Sequence, residues 1–286
     1  LICREIQPWI FTNMVAITPE LAGWLFERQV HITGKLNIDP VDETQVSLQA
    51  DMLGRSDHPE LARKMITAID IFCDAGYGDP LFRLQNLIRK ANIGFVPGYY
   101  RWCLKRGVGT DIELMGSGEG VDEEYWRVAP TPQQIALMIR QVQAVRSEFG
   151  LGKAEVLMPH VFGSCPFYDK GLYFAINGDI RACTNSTVVL SHMSDSDPIK
   201  RAYESDLICT RKCLSQEKMG EPCGSCDRWD KCRGGCRATV EGMGDSFGGY
   251  TLCPVPYLKE TSSQYKPLSW SGHSMHHSHG GGGGHG

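Results

Sequence analysis

The sequence predicts an α/β protein in two parts, a framework of parallel βα units followed by a cysteine-rich module. Three observations carry this. Through residue 158, short apolar runs alternate with amphipathic stretches that have readable helix starts. After Pro159 the helical periodicity fades, and cysteine, glycine and short polar stretches dominate. Nine of the 12 cysteines fall between Cys165 and Cys253.

The strands are read from runs short enough to cross a sheet once: Trp9–Thr12, Val30–Leu36, Phe82–Ile88, Asp111–Met115 and Glu155–Met158. The first helix starts at Thr18-Pro19-Glu20, an N-cap followed by proline at the first helical position. Leu21, Ala22, Leu25 and Phe26 form its apolar face. A second helix begins across Asp57–Glu60, carries Leu61, Met65, Ile69 and Phe72 on one face, and stops at Gly76. A third runs from Gly98 to Arg106 and ends at Gly107. Thr131-Pro132-Gln133-Gln134 reads as a capping box, ahead of Ile135, Met138, Ile139, Val142, Val145 and Phe149 at helical spacing. Strands alternating with helices predict parallel pairing, with functional groups at the C-terminal strand ends.

In the second part, Leu172–Ile176, Asn177-Gly178 and Asp179–Cys183 predict a tight hairpin with a primed turn. From Pro254 onward the pattern is lost, and residues 271–286 contain only Ser, Gly, His and Met, a flexible tail with no means of burying a core. The domain expectation is therefore 1–158, 159–256 and a tail over 257–286. His273, His276, His277, His279 and His285 in that tail suit weak metal binding, an artificial remnant or a translated fusion, and carry no catalytic role.

A length of 286 residues allows one or two domains with real cores. The net charge of −4 gives no electrostatic reason to expect nucleic acid. No apolar stretch approaches the roughly 18–20 residues that span a bilayer, and no basic segment leads into an apolar run as in a secretory signal. The expectation is a cytoplasmic protein with neither membrane nor nucleic acid as partner. The first residue is Leu1 rather than Met, so a processed chain or a fragment is expected.

The sharpest signal is Cys223-x2-Cys226-x5-Cys232-x3-Cys236, followed after sixteen residues by Cys253; upstream stands Cys165-x12-Gly178-x4-Cys183. Thiolates are soft ligands suited to iron–sulfur clusters and zinc. Cys223, Cys226, Cys232 and Cys253 can close one centre. Cys165, Cys183 and Cys236 can supply three ligands to a second, with the hairpin bringing Cys165 and Cys183 back together. Spacing alone leaves iron–sulfur and zinc evenly open, with disulfides the weaker third reading in a chain without an export signal.

This pattern resembles the SPASM domain, which follows the barrel in many radical S-adenosylmethionine (SAM) enzymes that modify peptides and proteins. The run Cys232-Arg233-Gly234-Gly235-Cys236-Arg237 is especially typical of it. Phe11-Thr12-Asn13, the helix start at Thr18 and Val30–Asn37 are similar, more loosely, to the family's third strand, following helix and fourth strand. The resemblance implies the later strands and helices of a partial (β/α)6 barrel followed by a SPASM domain holding two auxiliary [4Fe-4S] clusters. It implies a radical SAM/SPASM maturase acting on a ribosomal peptide or protein by oxidation, crosslinking, thioether formation or epimerisation. In the family a third [4Fe-4S] cluster binds SAM and cleaves it reductively to a 5′-deoxyadenosyl radical, with electrons from a donor such as flavodoxin or ferredoxin. That cluster is held by Cys-x3-Cys-x2-Cys, which the sequence lacks, so the chain alone is expected to be inactive toward SAM. The resemblance also leaves the first auxiliary centre one ligand short, to be filled by Cys209 or Cys213 or left open to substrate.

Polar groups near strand ends contact SAM in the family, which points to Asn13, Lys35, Asn37 and Asn92, with Thr12 beside them. Loop capping explains such residues equally well. Cys73 and Cys103 read as buried small hydrophobes, and His160 as structural. The alternative to an enzyme is a non-catalytic cysteine-rich electron-transfer or zinc-stabilised binding module.

Overall fold

A computed structural model of the chain describes residues 7–116, 123–152, 165 and 167–258. Four strands form one sheet in sequence order: β1 (Trp9–Thr12), β2 (His31–Lys35), β3 (Phe82–Ile88) and β4 (Gly109–Leu114). Every pairing is parallel. Helices α1 (Pro19–Glu27), α2 (Val46–Met52), α3 (Glu60–Asp74) and α4 (Val96–Arg106) fill the crossovers, and α5 (Glu123–Val128) and α6 (Pro132–Glu148) follow the last strand. This is the expected α/β architecture.

Local chemistry sets the elements. Thr18 caps α1, its hydroxyl accepting from the Leu21 N–H at 3.2 Å. At α6 both halves of the capping box form between Thr131 and Gln134. Gly107 takes φ 67° and closes α4. That helix begins at Val96, two residues before the expected start, because Pro97 fits its first turn. β4 likewise begins at Gly109 rather than Asp111, since Gly109 already pairs with Arg83. The polar segment that forms α2 had no sequence signal, and the strand expected at Glu155–Met158 lies outside the described residues.

Alternate positions of the strands face opposite ways. Ile32, Phe82 and Leu84 pack with Leu25, Met65, Phe72 and Tyr99 of the helices in one core cluster. The other face is polar: Trp9 donates to Thr33 at 2.6 Å, and Arg83 pairs with Asp79 and Asp111. A second cluster runs from Ile88, Ile112 and Leu114 through α6 into Cys223, Trp229, Val240 and Tyr250. The sheet and the cysteine module therefore share a core.

The module carries a small antiparallel sheet of β5 (Tyr173–Phe174), β6 (Asp179–Arg181) and β7 (Val189–His192). The β5–β6 hairpin forms as expected, but its turn is not primed. The Ala175 N–H donates to the Asp179 carbonyl at 2.9 Å, leaving three residues in the loop. Gly178 alone among them takes a positive φ, 93°. The physical reason is β7: His192 sits against the Asn177 carbonyl at 3.0 Å, and the Met193 N–H donates to the Gly178 carbonyl. Helices α7 (Pro198–Tyr203), α8 (Asp206–Lys212), α9 (Trp229–Cys232), α10 (Arg237–Gly242) and α11 (Val255–Leu258) complete the described module. Arg140 of α6 donates to the Tyr257 carbonyl, so ordered structure crosses the expected tail boundary at 256/257. Among the described residues, no helix is long and apolar enough to cross a membrane.

Candidate metal centres in the cysteine module

Cys223, Cys226, Cys232 and Cys253 line one small cavity, of about 20 Å3, with Trp229, Gly235 and Tyr250. These are the four residues the spacing assigns to one centre. Cys223 and Cys226 come from one tight turn, in which the Cys226 N–H donates to the Cys223 carbonyl at 3.2 Å. The Gln216 side chain holds that turn by donating to the Cys226 carbonyl at 2.7 Å. Among the described residues, no three His, Cys, Asp or Glu side chains converge as tightly as one bound ion requires.

The other three assigned cysteines form a second group. Burial pushes the Cys165 thiol up to about 11, and the neighbouring Cys236 and Cys183 add to that. Burial also raises Cys183, again with Cys236 contributing. The three thiols are thus near enough to influence one another's charge. Cys165 also lines an open pocket with Tyr168, Lys170, Lys212 and Arg233. Cys209 and Cys213 are exposed and do not line it.

A local geometry unites the two groups. Backbone N–H groups face the sulfur of six of the seven cysteines: Phe167 at Cys165, Asn185 and Ser186 at Cys183, Tyr250 at Cys223, Gly234 and Gly235 at Cys232, Val255 at Cys253, and Arg228 at Cys226, to which it donates at 3.4 Å. In five of the six the donor lies two residues after the cysteine. Such donors favour the thiolate, which is the form that binds metal. Burial opposes them, raising Cys223 and Cys232 and lifting Cys253 to about 12. A thiolate here needs a cation to stay charged. Cys103 differs: burial lifts it to about 12 inside the sheet–helix core, away from both groups. All eleven described cysteines are free thiols.

The link between the groups is Arg233-Gly234-Gly235. All three residues are left-handed, at φ 55°, 86° and 70°. This run carries the chain from Cys232 of one group to Cys236 of the other. A Cβ at Gly235 would lie 2.6 Å from the Tyr250 ring, so only glycine fits both the torsion and the space.

The module meets the sheet at a C-terminal strand end. A Cβ on Gly116, just past β4, would lie 2.6 Å from the Asn185 side chain. Asn185 is also the donor to Cys183. The Cys165–Cys183–Cys236 group thus lies by the edge where parallel sheets carry their functional groups.

The strand-end residues are placed as expected, but most of their polar atoms are occupied. Asn13 accepts the Val15 N–H at 3.2 Å in a local turn. Asn37 accepts the Leu87 N–H at 2.8 Å. Asn92 is fully buried; its amide donates to the Asn37 and Leu87 carbonyls and its oxygen accepts the Arg89 N–H. Lys35 is half-buried, and desolvation lowers its pKa against the opposing charge of Glu113.

Sequence reasoning missed the residues that brace the module. Arg211 is 2% exposed, pairs with Glu241 through two nitrogens, and donates to the Phe167 and Tyr168 carbonyls just after Cys165. Gln216 and Tyr250 likewise had no signal beyond lying among the cysteines.

No family model matches the sequence, and no curated protein matches it. Solved structures do. Native anSMEcpe with bound AdoMet superposes with TM-score 0.61 at 12% identity, over 88% of this chain and 71% of that one. Native anSMEcpe with bound AdoMet and Cp18Cys peptide gives 0.64 at 14%, over 88% and 72%. A hexahistidine-tagged form with bound AdoMet gives 0.60 at 14%, over 87% and 67%. The protein in these structures is a radical SAM/SPASM anaerobic sulfatase-maturating enzyme. At such identity the likeness is one of fold.

Proposed function

We propose that this chain is the auxiliary-cluster part of a radical SAM/SPASM maturase that modifies a ribosomally made peptide or a protein side chain. One observation carries the reading. Two cysteine groups, with backbone N–H donors on six of their seven sulfurs, occur in a fold shared with a peptide-acting enzyme of that class.

The residues present fit two [4Fe-4S] clusters. Cys223, Cys226, Cys232 and Cys253 would hold one; Cys165, Cys183 and Cys236 would supply three ligands to the other. Four thiols, with no histidine or carboxylate among them, line the cavity at the first set, an all-sulfur donor set of the kind that holds iron–sulfur clusters. When bound, such clusters supply one-electron chemistry. The chain's own contribution is to keep the thiols charged through N–H donors and to bury them from water. The remaining ligand position beside Cys165 opens on the pocket of Tyr168, Lys170 and Arg233. That position falls to a peptide group, or to Cys209 or Cys213, the latter lying between the pocket residues Lys212 and Leu214. Lys35, Asn37, Asn13 and Asn92 are the residues proposed for the SAM-facing edge, and a flavodoxin- or ferredoxin-type protein is the proposed electron donor in a cytoplasmic setting. A third cluster would need Cys-x3-Cys-x2-Cys, which is not among these 286 residues.

The test uses anaerobic protein loaded with iron and sulfide, reduced by dithionite and supplied with SAM and a peptide encoded beside the gene. The chain alone is expected to bind iron and form no 5′-deoxyadenosine. The gene product read from its own start codon is expected to form it and to change the peptide's mass. A product that binds only zinc, or that lacks the third motif throughout, would overturn the maturase reading.

A further inference from the structure

Arg237 follows Cys236 directly and is 3% exposed. Its guanidinium donates to the carbonyls of Gly234 at 3.5 Å, Gly248 at 3.2 Å and Ser246 at 2.5 Å. Its Nε is buried and has no partner among the described residues. No carboxylate described lies within ion-pair distance of it. The nearest candidate, Glu241, is taken by Arg211 at 2.6 Å. Two buried arginines therefore share one buried carboxylate, leaving one positive charge in excess. A buried charge without a counter-ion is among the costliest features a protein can hold. Desolvation accordingly lowers the Arg237 pKa, yet arginine stays protonated at any working pH. The excess charge sits inside the cysteine module, one residue past Cys236 and bonded to the Gly234 carbonyl. It also touches the glycine link, since a Cβ on Gly234 would lie 3.0 Å from an Arg237 nitrogen. That link joins Cys232 of one cysteine group to Cys236 of the other.

We infer that Arg237 is the shared counter-cation of the two cysteine-held centres, its unbalanced buried charge raising the potential at which they accept an electron. This rests on the cluster reading of the proposed function. A cluster held by thiolates is anionic, and one electron from a donor adds one more negative charge. A fixed cation beside it favours the reduced form, because net charge and hydrogen bonding to sulfur set cluster potentials. Arg237 is thus a positioning and tuning residue and takes no part in bond making.

The experiment is an EPR-monitored redox titration, poised with dithionite, of anaerobic wild-type, Arg237→Gln and Arg237→Lys chains at equal iron and sulfide. In Arg237→Gln the ratio of reduced to oxidised cluster at a fixed potential is expected to fall about tenfold, about 59 mV for a one-electron couple. Arg237→Lys is expected to stay near wild type. Unchanged signals in Arg237→Gln would overturn the inference, as would an equal fall in Arg237→Lys. If Arg237→Gln loses its iron while Arg237→Lys keeps it, the charge is needed to hold the centres and the inference stands. If both lose it, the residue acts by shape and the inference fails. A wild-type chain without iron refutes the cluster reading itself, a result separate from all of these.

Discussion

Gly235 and Gly244 allow torsion and crowding to be separated within one module. Both are left-handed, at φ 70° and 82°. A Cβ at Gly244 meets nothing within 4 Å, whereas one at Gly235 meets Cγ and Cδ1 of Tyr250 at 2.6 Å. Those atoms are the root of a ring that is 2% exposed, so it cannot swing away cheaply. Forcing alanine into the left-handed region costs about 1–2 kcal/mol, and the stiffer unfolded chain returns about 0.4–1 kcal/mol. Gly244→Ala should therefore lose about 1 kcal/mol by that difference. Gly235→Ala adds an overpacking cost of about 1–3 kcal/mol, for a total of about 2–4 kcal/mol. The assay is urea unfolding of anaerobic protein at equal iron loading, compared through midpoints at unchanged m. Iron per chain is measured alongside, because the Gly234 and Gly235 N–H groups serve Cys232. Equal midpoints for the two variants would refute the claim that Gly235 is fixed by the Tyr250 ring.

Arg211→Ala leaves Glu241 buried without its partner and frees the chain after Cys165. A loss of about 3–5 kcal/mol is expected, with iron falling from about eight to about four per chain as one of two four-iron centres empties. Asn92→Ala removes bonds to Asn37, Leu87 and Arg89, and should cost about 2–4 kcal/mol at about 1 kcal/mol each plus buried groups left unmade; a urea midpoint near wild type would mean the strand-end loop is held by other contacts. Cys103 is pushed up to about 12 in the folded chain, against about 8.5 when unfolded. Between those values the unfolded thiol loses its proton and the folded one keeps it. Stability should thus fall as pH rises, with this residue contributing up to about 1.4 kcal/mol per pH unit; Cys103→Ala should show a correspondingly flatter urea midpoint from neutral to alkaline pH.

Where the framework could be read in advance, the reason is local. Thr18 and Thr131 announce their helices because capping is decided within four residues, and the β3 run is legible because Phe82, Leu84 and Ile88 recur on one buried face along its length. The two cysteine groups were legible as spacing. What spacing could not show is which backbone N–H groups reach each sulfur, since that depends on torsions such as the left-handed Arg233, a residue type that rarely adopts them. The turn at Asn177-Gly178 departs from the primed form because β7, eleven residues further on, dictates its shape. Asn92 shows the same limit from the other side. Its place after a strand suggested a ligand contact, and only the fold reveals that its amide is already bonded on every side. The bracing by Arg211 and Gln216 is long-range and has no pattern in the chain.

The central claim is that residues 165–253 hold two separate iron–sulfur centres. Iron and acid-labile sulfide analysis of strictly anaerobic protein, repeated on Cys253→Ala and Cys183→Ala, tests it most directly. The wild type is expected to carry about eight irons and eight sulfides per chain, as two four-iron clusters require. Each variant is expected to retain about four, because the two residues belong to different groups. A colourless protein with stoichiometric zinc, or a loss of all iron in either variant, would contradict it.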